Sequence, residues 1–413
     1  MNSRERILAA WNGRHHDQVP LTAWCFGIQP PSQLRWQRHG KEIKHWYSLR
    51  MEHIHTLPEP WELEDDFARV LAWQSLGVDD ILDVSVPWAV DPQVTWEDSK
   101  TPPDKDQPLP VLVREYHTPS GNLRHAVRQT DEKHGPGWVI QPGYVPIFED
   151  LNLPRAVKHA VSSPAEVPVV KHLYCPPDAQ AKEWFAKRMQ AVKDFADRNQ
   201  VPVQAWSAFG MDGVVWLTGP QGAVLMAMDS PQAFGQLVDI VAETDYGRTE
   251  LAASAPGVDM VIQRGWYSST DFWSPKLFDL YVYPHLAELA SLAHRQGKKL
   301  GYVMTTGVAK LGPRLADAGV DVLYYVDPIQ DHISLEDARD QLATRMTLVG
   351  GTNALSLVSS DRARIRDEVR HAIQVLGPTN RFILAPVDAL FPDTPWDGVS
   401  TLIDAWRSTR GRW

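Results

Sequence analysis

The sequence is poor in the features that mark secreted, membrane-spanning and disulfide-stabilised proteins. It has two cysteines, Cys25 and Cys175, in 413 residues, and they form no CxxC pair. This scarcity excludes a disulfide scaffold and favours a reducing compartment, so we expect a cytoplasmic protein. No apolar run approaches the roughly 18 residues of a membrane span. The N-terminal segment MNSRERILAAWNGRHH lacks the apolar core of a secretory signal.

Positive charge is also scarce. Lys and Arg number 41 against 51 Asp and Glu, which gives a net charge of −10 with neutral His. Nucleic acids and acidic membranes attract basic surfaces, so neither is expected as a main partner. The motifs GxSxG, SxxK and HExxH and a complete P-loop are absent, which removes the nucleophile, zinc and nucleotide sites that they define.

Tryptophan is abundant, with 17 copies. Such residues suit either a densely packed core or the aromatic walls of a ligand pocket, and both interpretations stay open at this point.

Apolar segments that end at Gly, Pro or Asp predict eight β-strands, and helical patterns follow most of them. The strands are predicted at 19–26, 79–86, 201–209, 259–267, 299–306, 321–327, 346–353 and 381–388. This alternation is typical of a (β/α)8 TIM barrel, an α/β fold. A doubly wound open sheet is the alternative, but eight strands and the lack of GxGxxG after the first strand disfavour it.

Two long helices, 230–254 and 274–297, are predicted to begin at Ser-Pro pairs, because Ser is a favoured N-cap and Pro a favoured first residue. Pro284 should kink the second helix. Shorter helices are predicted at about 179–198, 308–318, 334–344, 359–376 and 396–408.

The chain is roughly 160 residues longer than a typical TIM barrel. We therefore predict a single domain, 1–413, that carries residues 87–200 as an insertion between the second and third strands. Within it, VLVREYHTPSGNLRHAVRQT alternates around TPSGN, which predicts a β-hairpin and gives the insertion a β-element.

Several blocks, in their order and spacing, resemble the uroporphyrinogen decarboxylase superfamily, which also includes corrinoid-dependent methyltransferases. These blocks are SRERILAAWNGRHHDQVPL (3–21), the segment from VIQRGWY to YVMTTG (261–307), LADAGVDVLYYVDP (315–328), TLVGGTN (347–353) and RFILAPVDALFPDTPWDGVSTLIDAW (381–406). The resemblance extends over the whole chain. It implies a TIM barrel with its site at the C-terminal ends of the strands, and it implies a homodimer.

The same resemblance bears on metal binding. The family's methyltransferases carry His-x-Cys-Gly at the end of the fifth strand and another Cys after the eighth, and these residues bind a zinc ion. The matching positions here are Met304, Thr306 and Gly307, with Asp388 or a neighbour at the late position. Zinc favours Cys and His, so the chain resembles a divergent member without the zinc-ligand pattern, and we predict no metal site.

Polar and aromatic residues near the C-terminal ends of the strands are the site candidates. We predict catalytic roles for Asp83, Asp327 and Asp388, and substrate-binding roles for Arg264, Trp206, Tyr302, Thr306 and Trp24. A buried carboxylic acid can act as a general acid or base, and an arginine can hold a substrate carboxylate. For each polar candidate a structural role remains open: Thr306, for example, could instead cap the helix that begins near Val308.

These residue types suit cofactor-free acid–base chemistry, of the decarboxylase or lyase type, on a small anionic substrate such as a cyclic or aromatic carboxylate. The first alternative is a methyltransferase that acts with a corrinoid protein, the corrinoid being bound by that partner. The second is a ligand-binding relic of the family without catalytic activity.

Overall fold

The structure is a computed structural model, and it describes residues 1–25, 36–38, 41–43, 63–129, 145, 147–148, 153–359, 361–390 and 394–411. The strands are β1 (Trp36–Arg38), β2 (Lys41–Ile43), β3 (Leu82–Ser85), β4 (Thr95–Thr101), β5 (Val111–Thr118), β6 (Gly121–Arg128), β7 (Ala156–Lys158), β8 (Val203–Ala208), β9 (Met260–Gln263), β10 (Lys299–Val303), β11 (Val322–Val326), β12 (Thr347–Asn353) and β13 (Phe382–Val387).

The α-helices are α1 (Ser3–Trp11), α2 (Leu63–Ser75), α3 (Ala179–Asn199), α4 (Met211–Thr218), α5 (Pro220–Asp229), α6 (Pro231–Ser254), α7 (Pro275–Tyr281), α8 (Tyr283–Arg295), α9 (Val308–Ala318), α10 (Leu335–Leu342), α11 (Ala354–Ser359), α12 (Arg362–Leu376) and α13 (Trp396–Thr409). Among the described residues, 3-10 segments lie at Pro164–His172, Trp266–Ser268 and Gly377–Thr379.

A curled parallel sheet forms the centre of the molecule and confirms the predicted TIM barrel. Its hydrogen-bonded order is β13-β12-β11-β10-β9-β8-β3. The first predicted strand continues this order, since Leu21 and Cys25 form parallel bridges with Leu384 and Leu390 next to β13. In the described part of the chain, no strand pairing joins this first segment to β3, so the sheet is open at that edge.

Side chains alternate between the barrel interior and the surrounding helices, as the two-residue period of a strand requires. On β9, Met260 and Ile262 belong to the interior cluster, whereas Val261 belongs to the larger cluster beneath the helices. Helix α1 contributes Ile7, Ala10 and Trp11 to the interior cluster. The barrel is therefore a packed core, and its polar interior residues need partners within it.

The predicted β-element of the insertion is a four-stranded antiparallel sheet, β4-β5-β6-β7. The hairpin around TPSGN is confirmed, because β5 and β6 pair up to Thr118 and Gly121 with Pro119 and Ser120 at the turn. That residues 87–200 form an insertion within a single domain stays a prediction.

The predicted helix 274–297 is two helices, α7 and α8, which meet at Val282 close to Pro284. Helices α2, α4 and α5 were not predicted. All eight residues of α4 are buried, so the helix lacks the polar face that makes a helical period visible in a sequence.

Candidate active site

Asp83 lies on β3 inside the barrel, and three donors hold its carboxylate. Gln204 Nε2 and Trp206 Nε1 donate to Oδ1 at 2.6 and 2.8 Å, and Arg69 donates to Oδ2 at 3.2 Å. The strand register places Asp83 directly beside Gln204. Tyr324 on β11 donates to Gln204 Oε1 at 2.9 Å, which extends the hydrogen-bonded chain across the interior.

Arg69, on α2, reaches the open edge of β3 and binds two carboxyl groups there. Its guanidinium donates to both oxygens of Asp80 at 3.0 Å, to the Ile81 carbonyl at 3.0 Å, and to Asp83. Burial raises the pKa of Asp80 to about 7 against the opposing effect of Arg69. One cation thus balances two carboxyl groups, and Asp80 exchanges its proton in the neutral range.

Tyr325 lines the same pocket as Arg69, Asp80 and Asp83, and this pocket is partly open to solvent. Burial raises its pKa well above the usual value, and the charge of Asp388 adds to this. The phenol is therefore a proton-bearing donor at neutral pH. The residues that the structure describes give this hydroxyl no hydrogen-bond partner, so it can donate to a ligand.

Three tryptophans stack beside this cluster. Trp24 lies 5.6 Å from Trp206 and 5.5 Å from Trp266, and Trp206 lies 6.1 Å from Trp266 between ring centroids. Trp206 also donates to Asp83, so the stack and the polar cluster form one unit. The structure thus brings together three of the predicted residues, Asp83, Trp206 and Trp24.

Arg264 has a different environment from the one expected. Arg264 Nε lies 3.2 Å from the Asp212 carboxylate on α4, and both side chains are buried. The guanidinium carbon lies 4.7 Å from the Trp216 ring and 4.4 Å from the Trp266 ring. Asp212 had not been recognised because α4, which carries it, was not predicted.

Thr306 does not cap α9. Thr306 Oγ1 donates to Asp271 Oδ2 at 2.6 Å. The cap comes from Asp331, whose carboxylate accepts from the backbone N–H groups of Gly307 and Val308 at 3.0 and 2.9 Å. The cap residue lies more than twenty positions after the start of its helix in the sequence, so local pattern could not identify it.

The remaining predicted residues lie in separate places. Tyr302 is fully buried on the helix-facing side of β10, where its hydroxyl contacts that of Ser268. Asp327 begins a turn, since it accepts from the N–H groups of Ile329 and Gln330 and from the Asn353 amide. Burial raises the pKa of Asp327. Their predicted roles are untested by these contacts.

The positions that match the family's zinc ligands do not form a zinc-binding set. Met304 is buried, and Thr306 is engaged with Asp271. In the described ranges, no group of three or more His, Cys, Asp or Glu side chains is arranged to hold a metal ion.

Arg69, Asp80, Gln204 and Tyr325 were not among the sequence candidates. One signal was present, because two further aspartates precede Asp83 in DDILD, and buried carboxylates require a basic partner. The sequence did not identify Arg69 as that partner, because α2 was not predicted.

The curled sheet of parallel strands, the outer helices and the polar interior cluster define a protein of the TIM-barrel class. The chain belongs to the uroporphyrinogen decarboxylase (URO-D) family, whose model matches residues 154–409. No curated protein matches the chain.

Among solved structures, a methyltransferase from Methanosarcina mazei is similar, with a TM-score of 0.59 and 17% identity over 99% of both chains. At this identity the similarity shows the fold alone. The 3-keto-D-glucoside 4-epimerase from E. coli has a TM-score of 0.34 and 11% identity, over 61% of this chain and 96% of its own, and is too distant to support an inference. None of the described helices combines the length and apolar character that a membrane crossing requires.

Proposed function

We propose that the protein is a lyase-type enzyme that decarboxylates a cyclic or aromatic carboxylate by metal-independent acid–base chemistry. The observation that supports this most is the cluster of Arg69, Asp80, Asp83 and Tyr325 beside the tryptophan stack. It combines an acid that exchanges its proton near pH 7, a proton-bearing phenol and flat apolar walls. General acid catalysis works best when the pKa of the acid lies near the working pH.

In the proposed reaction, Asp80 or Tyr325 donates a proton to the ring carbon that bears the carboxylate. The ring then carries positive charge, which the Asp83 carboxylate stabilises. The bond to the carboxylate breaks, its electron pair returns to the ring, and CO2 leaves. The net change replaces the carboxylate by hydrogen, and the acid recovers its proton from solvent.

The substrate-binding part of the proposal rests on Trp24 and Trp206 as ring contacts. Asp388 is a second carboxylate near Tyr325 and keeps its proposed catalytic role, as does Asp327 at the end of β11. Asp212 already balances the charge of Arg264. Arg264 can therefore bind a substrate carboxylate only if its ion pair with Asp212 opens.

The test is CO2 release from a panel of cyclic and aromatic carboxylates, chosen after a mass-spectrometric search for ligands that copurify with the protein. We expect one substrate class to be turned over, and Asp83→Asn to lower kcat by about 10²–10³-fold because it removes the charge that stabilises the protonated ring. Tight binding without CO2 release would support the ligand-binding hypothesis instead.

The second candidate function is methyl transfer with a corrinoid protein. It is favoured by the similarity, along 99% of the chain, to a structure described as a methyltransferase. Methylcobalamin, as a free corrinoid, offers a direct test, because demethylation changes its visible spectrum. A spectral change that requires this protein and a methyl acceptor would favour this function over decarboxylation.

A further inference from the structure

The hairpin turn of the insertion sheet places a serine, a histidine and an aspartate in one hydrogen-bonded line. Ser120 Oγ lies 2.7 Å from His172 Nε2, and His172 Nδ1 lies 2.7 Å from Asp91 Oδ2. Ser120 lies in the β5–β6 turn, His172 ends the 3-10 segment Pro164–His172, and Asp91 lies in the loop after β3. None of them belongs to the barrel cluster described above.

The proton positions in this line follow from the acceptor chemistry of Asp91. An ionised carboxylate only accepts, so His172 Nδ1 carries the proton that bonds to Asp91. The hydrogen bond from His172 lowers the pKa of Asp91, second to the bond from the Gln93 N–H, so the carboxylate is ionised. His172 Nε2 is then an acceptor, and the Ser120 hydroxyl donates to it. This is the arrangement in which a histidine can remove the proton of a serine nucleophile.

The backbone fixes two members of the line relative to each other. Asp91 N–H donates to the His172 carbonyl at 2.8 Å, and Asp91 Oδ1 accepts from the Gln93 N–H at 2.9 Å. His172 and Asp91 are partly buried, with side-chain exposures of 13% and 26%, whereas Ser120 is exposed. A shielded base and an accessible hydroxyl are what a nucleophilic site requires.

The neighbouring serines provide a contrast. Ser162 and Ser163 are also near the surface, but their hydroxyls donate to Glu166 at 3.1 and 3.2 Å, and the described structure gives them no histidine partner. A carboxylate is a much weaker base than histidine at neutral pH, so Glu166 cannot take the hydroxyl proton of these serines as His172 can take that of Ser120. Ser162 is therefore a matched control.

We propose that Ser120 is an activated nucleophile of a second site, which accepts small activated acyl esters. Ser120 Oγ attacks the ester carbonyl while its proton passes to His172 Nε2. The ester bond breaks, the leaving alcohol takes that proton, and Ser120 remains acylated. Water, deprotonated by His172, then releases the acid. The site is independent of the decarboxylase proposed for the barrel.

The expected activity is acylation with slow turnover. The line of Ser120, His172 and Asp91 does not itself supply an oxyanion hole, and the loss of one oxyanion-hole donor costs about 10²–10³-fold in kcat in a serine protease. Stoichiometric acylation is therefore a better measurement than steady-state hydrolysis.

The experiment uses the full chain with a serine-directed fluorophosphonate and, separately, p-nitrophenyl acetate. The fluorophosphonate forms a bond from Ser Oγ to phosphorus and releases fluoride. We expect one adduct per chain, mapped to Ser120 by peptide mass spectrometry, and a nitrophenol burst of the same stoichiometry. Both should vanish in Ser120→Ala and persist in Ser162→Ala.

Asp91→Asn is the decisive variant because it keeps the shape of the line and alters the histidine tautomer. The equivalent change in a serine protease costs about 10⁴-fold, and we expect labelling to slow by at least ~10²-fold with little change in melting temperature. An unlabelled Ser120 in the wild type, or equal labelling rates in wild type and Asp91→Asn, would overturn the proposal. The three residues would then only hold the hairpin against the 3-10 segment.

Discussion

Adjacent tyrosines at the end of β11 have different tasks, and a pair of isosteric variants separates them. Both line the pocket, but the Tyr324 hydroxyl donates to Gln204, whereas no described residue bonds to the Tyr325 hydroxyl. Tyr324→Phe leaves the Gln204 carbonyl without its donor and should cost about 1–3 kcal/mol of stability. Tyr325→Phe should leave the melting temperature nearly unchanged and lower kcat for the substrate found by the CO2 assay. Equal activity in Tyr325→Phe and wild type would remove Tyr325 from the proposed mechanism.

Arg264 is predicted to be a structural residue first. It is 1% exposed, paired with Asp212 and enclosed by two indole rings. Removing one member of a buried ion pair leaves the other charge uncompensated, so Arg264→Met should destabilise the protein by about 3–5 kcal/mol. Arg264→Lys should lower the melting temperature less, because it keeps the charge but loses the planar stacking.

The control for this prediction is Arg345→Lys, in an exposed ion pair with Asp317, which should leave thermal unfolding almost unchanged. If Arg264→Lys instead kept the wild-type melting temperature and lost ligand affinity, the result would support Arg264 as a residue that binds the substrate carboxylate and would contradict a purely structural role.

Asp80 should give the protein a stability that depends on pH. Its pKa is about 7 in the folded state, above the ordinary value of roughly 4 for an unfolded chain. Between these values the folded state holds more protons than the unfolded state, so this contribution is complete below pH 4 and is lost as pH rises through 7. From pH 4 to pH 8 the melting temperature of the wild type should therefore fall relative to that of Asp80→Asn, which has no carboxyl group to titrate. Parallel curves over this range would show that Asp80 is not the group that titrates.

At the scale of elements, the start of α9 shows how a helix can depend on a distant cap. Asp331 accepts from the first two N–H groups of this region, Gly307 and Val308. Asp331→Ala should cost about 1 kcal/mol of unfolding free energy, as loss of an N-cap does. Thr306→Val removes only the hydroxyl bonded to Asp271 and should cost less in a denaturant titration. A larger loss in Thr306→Val would mean that the threonine, and not Asp331, stabilises the helix start.

The same elements show what a sequence can and cannot predict. Apolar runs that stop at Gly, Pro or Asp located the barrel strands because both faces of such a strand are buried: on β9, Met260 and Ile262 face inward while Val261 faces the helices. They did not assign Tyr302 to the correct face, because the strand is buried on both sides and has no polar alternation. Partners such as Arg69 and Asp212 depend on which helices meet the strand edges, and that is a property of the tertiary fold.

At the scale of the whole molecule, the assembly state follows from the family resemblance and is open to a direct measurement. The chain has a mass of 46.5 kDa, and we predict a homodimer. Light scattering across a dilution series should give twice the chain mass at high concentration. A mass of one chain throughout the series would contradict the prediction.

The last prediction is that the described chain unfolds as one cooperative unit. Polar contacts join distant parts of the chain. Arg4 near the N-terminus pairs with Asp259 and donates to the Val201 carbonyl. Trp406 Nε1 near the C-terminus donates to the Val19 carbonyl at 2.7 Å. One apolar cluster includes residues from Val19 to Trp406. Two independent cores divided near residue 200 would share no such cluster.

Calorimetry should therefore give one transition whose calorimetric and van't Hoff enthalpies agree, with coincident tryptophan fluorescence and far-ultraviolet circular dichroism. The control is Arg6→Met, which leaves the buried carboxylate of Asp79 without the guanidinium 2.6 Å away. In a single unit this change near the N-terminus lowers the one transition as a whole, because α1 packs in one apolar cluster with residues of β13. Two transitions, of which only the first moves in Arg6→Met, would show that residues 1–200 and 201–413 fold separately.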